Sequence, residues 1–94
     1  MRLRLLAQAR ADLSDVMTWY KSKPGTLAQA FLGDFEKTAN LIESHPLAWS
    51  EISEGVRRCR FSRFPYALIY VLEQDQCLAL AVAHLHRKPG YWHN

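Results

Sequence analysis

Cysteine is scarce in this sequence, and no apolar run approaches the length of a membrane-spanning helix. Cys59 and Cys77 lack the spacing and the neighbouring ligands of a metal site. Both lie in apolar, strand-like runs, which favours small core residues over a disulfide. The first residues also lack the continuous apolar stretch of a signal peptide, because Arg10 and Asp12 follow soon after the start. We therefore expect a cytoplasmic protein.

Internal repeats, low-complexity segments and linkers are also missing. A chain of 94 residues without a linker is typical of one domain with one modest core, so we assign residues 1–94 to a single domain. Hydrophobic residues make up 49% of the sequence, which separates the chain from disordered segments that cannot bury enough apolar surface to fold.

Two segments show the apolar period of a helix. Leu13, Val16, Met17 and Tyr20 form one stripe, which predicts a helix over residues 8–21, with Asp12 and Asp15 placed favourably near its positive end. A second stripe predicts a helix over residues 27–45, and Thr26 with Gln29 has the form of a capping box. Its members are Phe31, Phe35, Ala39 and Ile42. The short turn at Pro24-Gly25 makes the two helices an antiparallel hairpin.

The remaining apolar segments have the character of strands. Residues 2–5, 56–61, 66–73 and 77–86 are the strand candidates, which gives the order β-α-α-β-β-β. Strict alternation would place Arg58 and Arg60 on one face. In the last strand it would separate a row of Leu78, Leu80, Val82, His84 and His86 from a row of Ala79, Ala81, Ala83 and Leu85. We expect an α+β fold, in which a mainly antiparallel sheet carries the helical hairpin on one face.

Positive charge is concentrated in the segment RRCRFSRFPY, residues 57–66. Arg57, Arg58, Arg60 and Arg63 fall within seven residues of one another, although the net charge of the chain is only +3. Charged side chains commonly protect a sheet edge from pairing with another chain. Four arginines in one short strand and turn exceed that need, which favours a surface for an anion or for an acidic protein.

Residues in the second half of the chain also allow a catalytic function, as an alternative to a binding surface. Metal-free RNA cleavage needs a base, an acid and cations that stabilise the phosphate transition state. His84 or His86, Tyr70 and Arg87 would supply these groups. We expect neither a metal nor another cofactor, because His84 and His86 have no further ligand nearby in the sequence and a metal site needs three or four.

The order of elements and several short motifs resemble the ParE/RelE superfamily of toxins from bacterial type II toxin–antitoxin systems. The motifs are Ala11-Asp12-Leu13, Lys23-Pro24-Gly25, Gly55-Val56-Arg57-Arg58, Arg63-Phe64-Pro65-Tyr66 and Ile69-Tyr70. The ending AHLHRKPGYW, residues 83–92, is similar to the H-x-x-R-x-P-x-x-W ending of plasmid-stabilisation toxins of the ParE branch. Together the motifs span nearly the whole chain.

This resemblance implies both a fold and a set of partners. The fold would be an antiparallel sheet with a helical hairpin, and the partner a ParD-like antitoxin, encoded by an adjacent gene, whose C-terminal segment wraps the toxin. ParE-like members are linked to poisoning of DNA gyrase, whereas RelE-like members cut mRNA in the ribosome. The lysines other than Lys88 lie in the helices or their turn, which departs from the RelE pattern. We therefore expect protein binding rather than nuclease activity.

Roles for individual residues follow from the resemblance and the charge pattern. We assign antitoxin binding to Arg58, Arg60 and Arg63. Contact with the target, DNA gyrase or another essential component, is assigned to His84, Arg87, Tyr91 and Trp92. Trp92 has an alternative role as a cover for the open end of the core, because an indole ring buries a large apolar area.

Overall fold

The computed structural model describes residues 1–88 and 90–93 of the chain. In these residues two helices and five strands follow one another in this order: β1 (Leu3–Leu5), α1 (Ala7–Lys21), α2 (Leu27–Ser44), β2 (Glu51–Ser53), β3 (Val56–Arg60), β4 (Tyr66–Glu73) and β5 (Gln76–His84). A 3₁₀ turn at Tyr91–His93 ends the described chain. The α+β fold is confirmed, and β2 is an element that the sequence pattern did not predict.

The strands form one mixed sheet in the order β1-β5-β4-β3-β2. β1 lies parallel to β5, and the other neighbouring pairs are antiparallel. The helices occupy one face of this sheet, and α1 packs most closely against β5. Among the described residues, neither helix combines the length and the apolar character that a membrane span requires.

Both predicted helices are present within one residue of the expected bounds. The prediction of a capping box at the start of α2 is wrong, because the side chain of Thr26 makes no hydrogen bond to the helix. Its backbone angles, φ −111° and ψ 26°, are not the extended conformation from which an N-cap side chain reaches the first free N–H groups. The turn between the helices relies on Gly25 instead, whose φ of +89° is accessible to glycine without strain.

The main core lies between the helical hairpin and the sheet. Phe31 of α2 is fully buried at its centre and contacts the rings of Tyr20, Phe61, Phe64 and Tyr66 at centroid distances of 5.3–5.5 Å. The two predicted helical stripes pack here, as expected. Cys59 and Cys77 are fully buried, free thiols in the same core. Burial raises the pKa of the Cys59 thiol to about 11, so it stays protonated and inert near neutral pH.

A second, smaller apolar cluster lies on the opposite face of the sheet. Its buried members are Val56, Ala67, Ile69, Ala81 and Ala83. Leu85, Tyr91 and Trp92, which follow the last strand, pack against this cluster. The end of the chain therefore covers part of the face that the helices leave open.

An irregularity in β5 overturns the predicted division of its side chains. Ile69 pairs with Ala81 but the next residue, Tyr70, pairs with Ala79, so Leu80 is the extra residue of a bulge. The bulge shifts the alternation by one position. As a result Ala79 and Val82 both belong to the core under the helices, while Ala81 and Ala83 belong to the opposite cluster. The expected continuous row of alanines is therefore split between the two faces.

The last strand is also shorter than predicted. β5 ends at His84, and Arg87 closes a turn by donating its backbone N–H to the carbonyl of His84 at 2.9 Å. His86 and Arg87 consequently lie beyond the strand in this turn. Pro89, which the sequence motif places at this point, lies outside the described residues.

Candidate functional site

The clustered arginines divide into one structural residue and three exposed ones. Arg57 is half-buried and donates to the backbone carbonyl of Trp49 at 2.6 Å, with Glu51 at 3.7 Å. It therefore fastens β3 to the segment that leads into β2. Arg58, Arg60 and Arg63 are exposed, and within residues 1–88 and 90–93 none of them forms an ion pair. Their charges are available to an external partner.

Arg58 and Arg60 share one face of the sheet, as the alternation of β3 predicted, and the structure shows that it is the face opposite the helices. Arg58 borders a shallow pocket whose floor is the apolar surface of Ala67, Ile69 and Ala83. Arg87 lies on the same rim, although it comes from the turn after β5, which β4 separates from β3 in the sheet. Trp92 and Ile52 complete the apolar wall. We call this pocket, together with Arg58, Arg60 and Arg87, the arginine face.

The size of the pocket limits what it can hold. Its volume is about 60 Å³, whereas sites for drug-sized molecules enclose roughly 300–1,000 Å³. Arg60 extends the charged surface alongside Arg58, next to Trp49 and the exposed Ile52. A small apolar depression flanked by cations suits one apolar side chain of a protein partner with carboxylates around it.

Arg63 lies apart from this pocket, in the turn between β3 and β4, and a buried carboxylate holds that turn. Asp34 of α2 accepts hydrogen bonds from the backbone N–H groups of Ser62, Arg63 and Phe64 and from the hydroxyl of Ser62, at 2.8–3.1 Å. Burial alone would raise the pKa of the Asp34 carboxyl, but these hydrogen bonds outweigh it and hold the pKa below its ordinary value. Asp34 is therefore an ionised anchor for the arginine-bearing turn.

A second buried carboxylate, Asp12 of α1, anchors the end of the chain. Its Oδ2 accepts hydrogen bonds from the hydroxyl of Tyr91 at 2.7 Å and from the backbone N–H of Val82 at 3.0 Å. Burial and the contact with Asp12 raise the pKa of the Tyr91 hydroxyl above its ordinary range, so the hydroxyl remains a donor. The guanidinium of Arg87 lies 3.7 Å from the centre of the Tyr91 ring. Of the predicted target-binding residues, Arg87, Tyr91 and Trp92 are thus brought together.

His84, the fourth of that set, borders the same pocket from the end of β5. Its ring packs edge-on against Tyr66 at 5.0 Å and lies 5.2 Å from the ring of His86. The Nδ1 atom of His84 accepts the backbone N–H of His86 at 3.1 Å. The described residues contain no group of three or more histidine, cysteine, aspartate or glutamate side chains arranged to hold a metal ion.

Tyr70 does not join the residues with which it would act in a nuclease. Its side chain is fully buried on the helix-facing side of the sheet, and its hydroxyl donates to the backbone carbonyl of Pro46 at 2.6 Å. Burial raises the pKa of this hydroxyl to about 12. His84, His86 and Arg87 lie together at the end of β5 without it.

Sequence reasoning missed the roles of Asp12 and Asp34. The charge pattern explains Asp12 as a favourable charge near the start of α1, but the residue is buried well inside the helix. Asp34 stands three residues after Phe31 and one before Phe35, on the apolar stripe itself. A carboxylate on a buried stripe needs several donors, and that signal was sufficient to mark Asp34 as an anchor.

Comparison with known proteins adds a likeness of fold. No family model matches the sequence, and no curated protein matches it either. Among solved structures, a chain from the chromosomal ParDE TA system of P. aeruginosa matches with a TM-score of 0.77 at 20% sequence identity. The match covers 89% of this chain and 95% of that one. The chain therefore has the fold of that ParDE protein, which agrees with the fold expected from the sequence motifs.

Proposed function

We propose that this chain is the toxin component of a toxin–antitoxin system, neutralised by a ParD-like antitoxin from an adjacent gene. The observation that carries the proposal is the likeness over 89% of the chain to a protein of a ParDE system. The ending H-x-x-R-x-P-x-x-W supports the same proposal independently of the fold. Such a toxin would act in the cytoplasm, where its target and its antitoxin are found.

We propose further that it acts by binding an essential protein such as DNA gyrase. The arginine face supports binding over catalysis, because its pocket is small and its arginines project around an apolar floor. Arginine and tryptophan are frequent anchors of protein interfaces, and both stand on this rim. Complementary charge also steers an acidic partner towards the surface and speeds its association.

The two proposed partners would share part of this surface. Arg58 and His84 border one pocket, although sequence reasoning assigned Arg58 to the antitoxin and His84 to the target. An antitoxin whose carboxylates meet Arg58 and Arg60 would therefore lie across the target-binding residues. Neutralisation would then follow from occlusion, without a change in the structure of the toxin.

One arrangement favours a second candidate function, ribosome-dependent cleavage of mRNA. His84 and His86 lie 5.2 Å apart between ring centres, and Arg87 follows at once. An imidazole pair beside a guanidinium can supply a base, an acid and a cation for phosphoryl chemistry. In that case the acid would be a histidine, because the hydroxyl of Tyr70 is buried on the other face.

Expression of the chain with and without the adjacent gene tests the proposal. We expect growth arrest when the chain is expressed alone and normal growth when both genes are expressed. The purified protein is then added to a gyrase supercoiling reaction and to translating ribosomes, with DNA topology and mRNA ends as the measurements. Altered topology with intact mRNA supports the gyrase proposal, and new mRNA ends support the nuclease.

A matched pair of variants connects the effect with the arginine face. Arg87→Ala should abolish or strongly reduce growth arrest, whereas Lys88→Ala removes the same charge from the next residue and should leave the arrest intact. Normal growth with the wild-type chain expressed alone, at a level where it is folded, would contradict the proposed function.

A further inference from the structure

A chain of contacts connects the interior of α1 with the rim of the arginine face. It starts at Asp12, whose side chain is buried and whose Oδ2 accepts the backbone N–H of Val82 at 3.0 Å. β1 pairs with β5 only from Cys77 to Ala79. Val82 therefore lies on the edge of β5 at a position beyond the end of β1. The amide of Gln8 donates to the other oxygen, Oδ1, at 2.9 Å. Contacts from both the helix and the sheet thus hold this carboxylate in place.

The next contact connects Asp12 with Tyr91, near the end of the chain. The hydroxyl of Tyr91 donates to Asp12 Oδ2 at 2.7 Å, which fixes the tip of a half-buried ring. Hydrogen bonds to a charged acceptor are about twice as strong as those between neutral groups. The ring of Tyr91 therefore has a defined place over the apolar cluster of the open face, although it belongs to the last residues of the chain.

The last contact, between the Tyr91 ring and Arg87, positions the guanidinium group of Arg87. Arg87 is exposed, and its guanidinium carbon lies 3.7 Å from the centre of the Tyr91 ring. Among residues 1–88 and 90–93 it has no carboxylate partner, so the stacked ring is the contact that orders this long, flexible side chain. From this position Arg87 borders the pocket opposite Arg58.

We propose that Asp12 is a positioning residue, which acts through Tyr91 to hold the Arg87 guanidinium at the rim of the arginine face for contact with an acidic protein. This proposal rests on the proposed function for the identity of the contact, but not for the geometry. Order in the free protein matters for binding, because a side chain that is already in its bound conformation loses less entropy when the partner arrives.

A simpler role for Asp12, as a cap for the Val82 N–H alone, predicts a different response to substitution. Tyr91→Phe removes the hydroxyl while it keeps the ring, the cation-π surface and the bond between Asp12 and Val82. If Asp12 only caps the strand, the loss of this hydroxyl leaves Arg87 where it is. If Asp12 positions Arg87, the ring is released and Arg87 becomes mobile with it.

NMR of the Arg87 side chain distinguishes the two. In the wild type, protons of Arg87 that lie over the Tyr91 ring should show ring-current shifts, and its Nε–H should be ordered. In Tyr91→Phe both signatures should collapse towards the values of a free arginine. Thr38→Val is the control: it removes another hydroxyl, which donates at 2.8 Å to the carbonyl of Asp34 inside α2, and should leave the Arg87 signals unchanged. Unchanged Arg87 signals in Tyr91→Phe would overturn the proposal.

Binding provides the second measurement. Tyr91→Phe should weaken affinity for the product of the adjacent gene about two- to fivefold, the factor expected for one exposed cation-π contact. A variant that releases Arg87 and yet binds with wild-type affinity also overturns the positioning role. If the wild-type chain neither arrests growth nor binds that product, the proposed function fails, while the NMR comparison still decides whether Asp12 positions Arg87.

Discussion

The carboxylate of Asp34 accepts a 2.8 Å hydrogen bond from the backbone N–H of Arg63, although 29 positions separate the two residues in the sequence. The same carboxylate binds the N–H groups of Ser62 and Phe64, so a helix residue organises the whole turn between β3 and β4. Phe64 packs into the core, but the exposed Ser62 and Arg63 have few other contacts in this turn. Its conformation, and with it the position of the exposed Arg63, therefore depends on one ionised side chain in α2.

Replacement of this anchor should cost substantial stability. We expect Asp34→Asn to lower the free energy of unfolding by about 2–3 kcal/mol, because an amide has one acceptor oxygen and presents N–H groups to the other donors. Urea unfolding followed by circular dichroism measures the change. Asp15→Asn on the exposed side of α1 is the matched control and should stay within about 0.5 kcal/mol of the wild type. Equal stability of both variants would show that the four hydrogen bonds contribute little.

The same carboxylate makes stability depend on pH in the acid range. Its pKa in the folded protein lies below the ordinary value of 3.8, so the unfolded chain binds the proton more readily. The stabilisation is therefore fully present above pH 3.8 and is lost as the pH falls through the lower, folded pKa. Unfolding midpoints measured between pH 2 and 6 should decline less steeply in Asp34→Asn than in the wild type. Parallel profiles for the two proteins would contradict the lowered pKa.

The aromatic core supplies a prediction about packing. Phe35 is only 8% exposed and contacts Phe61, so Phe35→Ala should lower the free energy of unfolding by about 3–5 kcal/mol. Leu41 lies on the same helix but is 40% exposed, and Leu41→Ala should cost less than about 1 kcal/mol. Thermal and urea unfolding of both variants measures the difference. Similar losses in the two would show that the hairpin is not packed as described.

Affinity for the proposed antitoxin should depend on the exposed arginines of β3. Each arginine that pairs with a buried carboxylate of the partner should contribute about 2–5 kcal/mol when Arg58→Ala and Arg60→Ala are titrated calorimetrically. The double variant Arg2→Ala, Arg4→Ala removes two exposed charges beside the opposite edge of the sheet and serves as the control. The melting temperature should change little in either, because all four side chains are exposed. Wild-type affinity in the β3 variant would remove this surface from the interface.

Deletion of residues 91–94 separates the two roles of the chain end. Tyr91 and Trp92 pack against the apolar cluster of the open face, so we expect the melting temperature to fall together with growth arrest. Trp92→Ala should lower the free energy of unfolding by about 2 kcal/mol. This is less than the loss expected for a fully buried tryptophan, because the half-buried ring has less contact area. A truncated chain with the wild-type melting temperature but no toxicity would assign these residues to target contact alone. Full toxicity in a folded truncation would exclude them from the target-binding surface.

The helices and four of the five strands described could be predicted, because each helix carries an apolar pattern over two turns or more and each of these strands shows alternation or an apolar run. β2 could not, because its three residues are all exposed and no pattern distinguishes them from a loop. The bulge at Leu80 was also hidden, since Leu, Ala and Val alternate plausibly with either register. Only the pairing with β4 decides which residues face the helices.

The candidate site was predictable in its parts but not in its arrangement. Alternation placed Arg58 and Arg60 on one face, and the structure agrees. That Arg58 and Arg87 border the same pocket depends on strand order, because β3 and β5 flank β4 in the sheet. Sequence separation gives no information on this. The turn after His84 and the hydrogen bond from Tyr91 to Asp12 likewise join residues that no sequence pattern connects.

The parallel pairing of β1 with β5 has a consequence for biosynthesis. Leu3 pairs with Cys77, so β1 has no partner strand until β5 emerges from the ribosome. α1 packs chiefly on β5, so it also lacks most of its packing surface until β5 has been synthesised. Long-range pairing of this kind slows folding. A nascent chain that ends before Gln76 therefore exposes the apolar side of the helical hairpin and an unpaired edge on β4. The arginine face, whose floor includes Ala83, forms only after β5 has been synthesised.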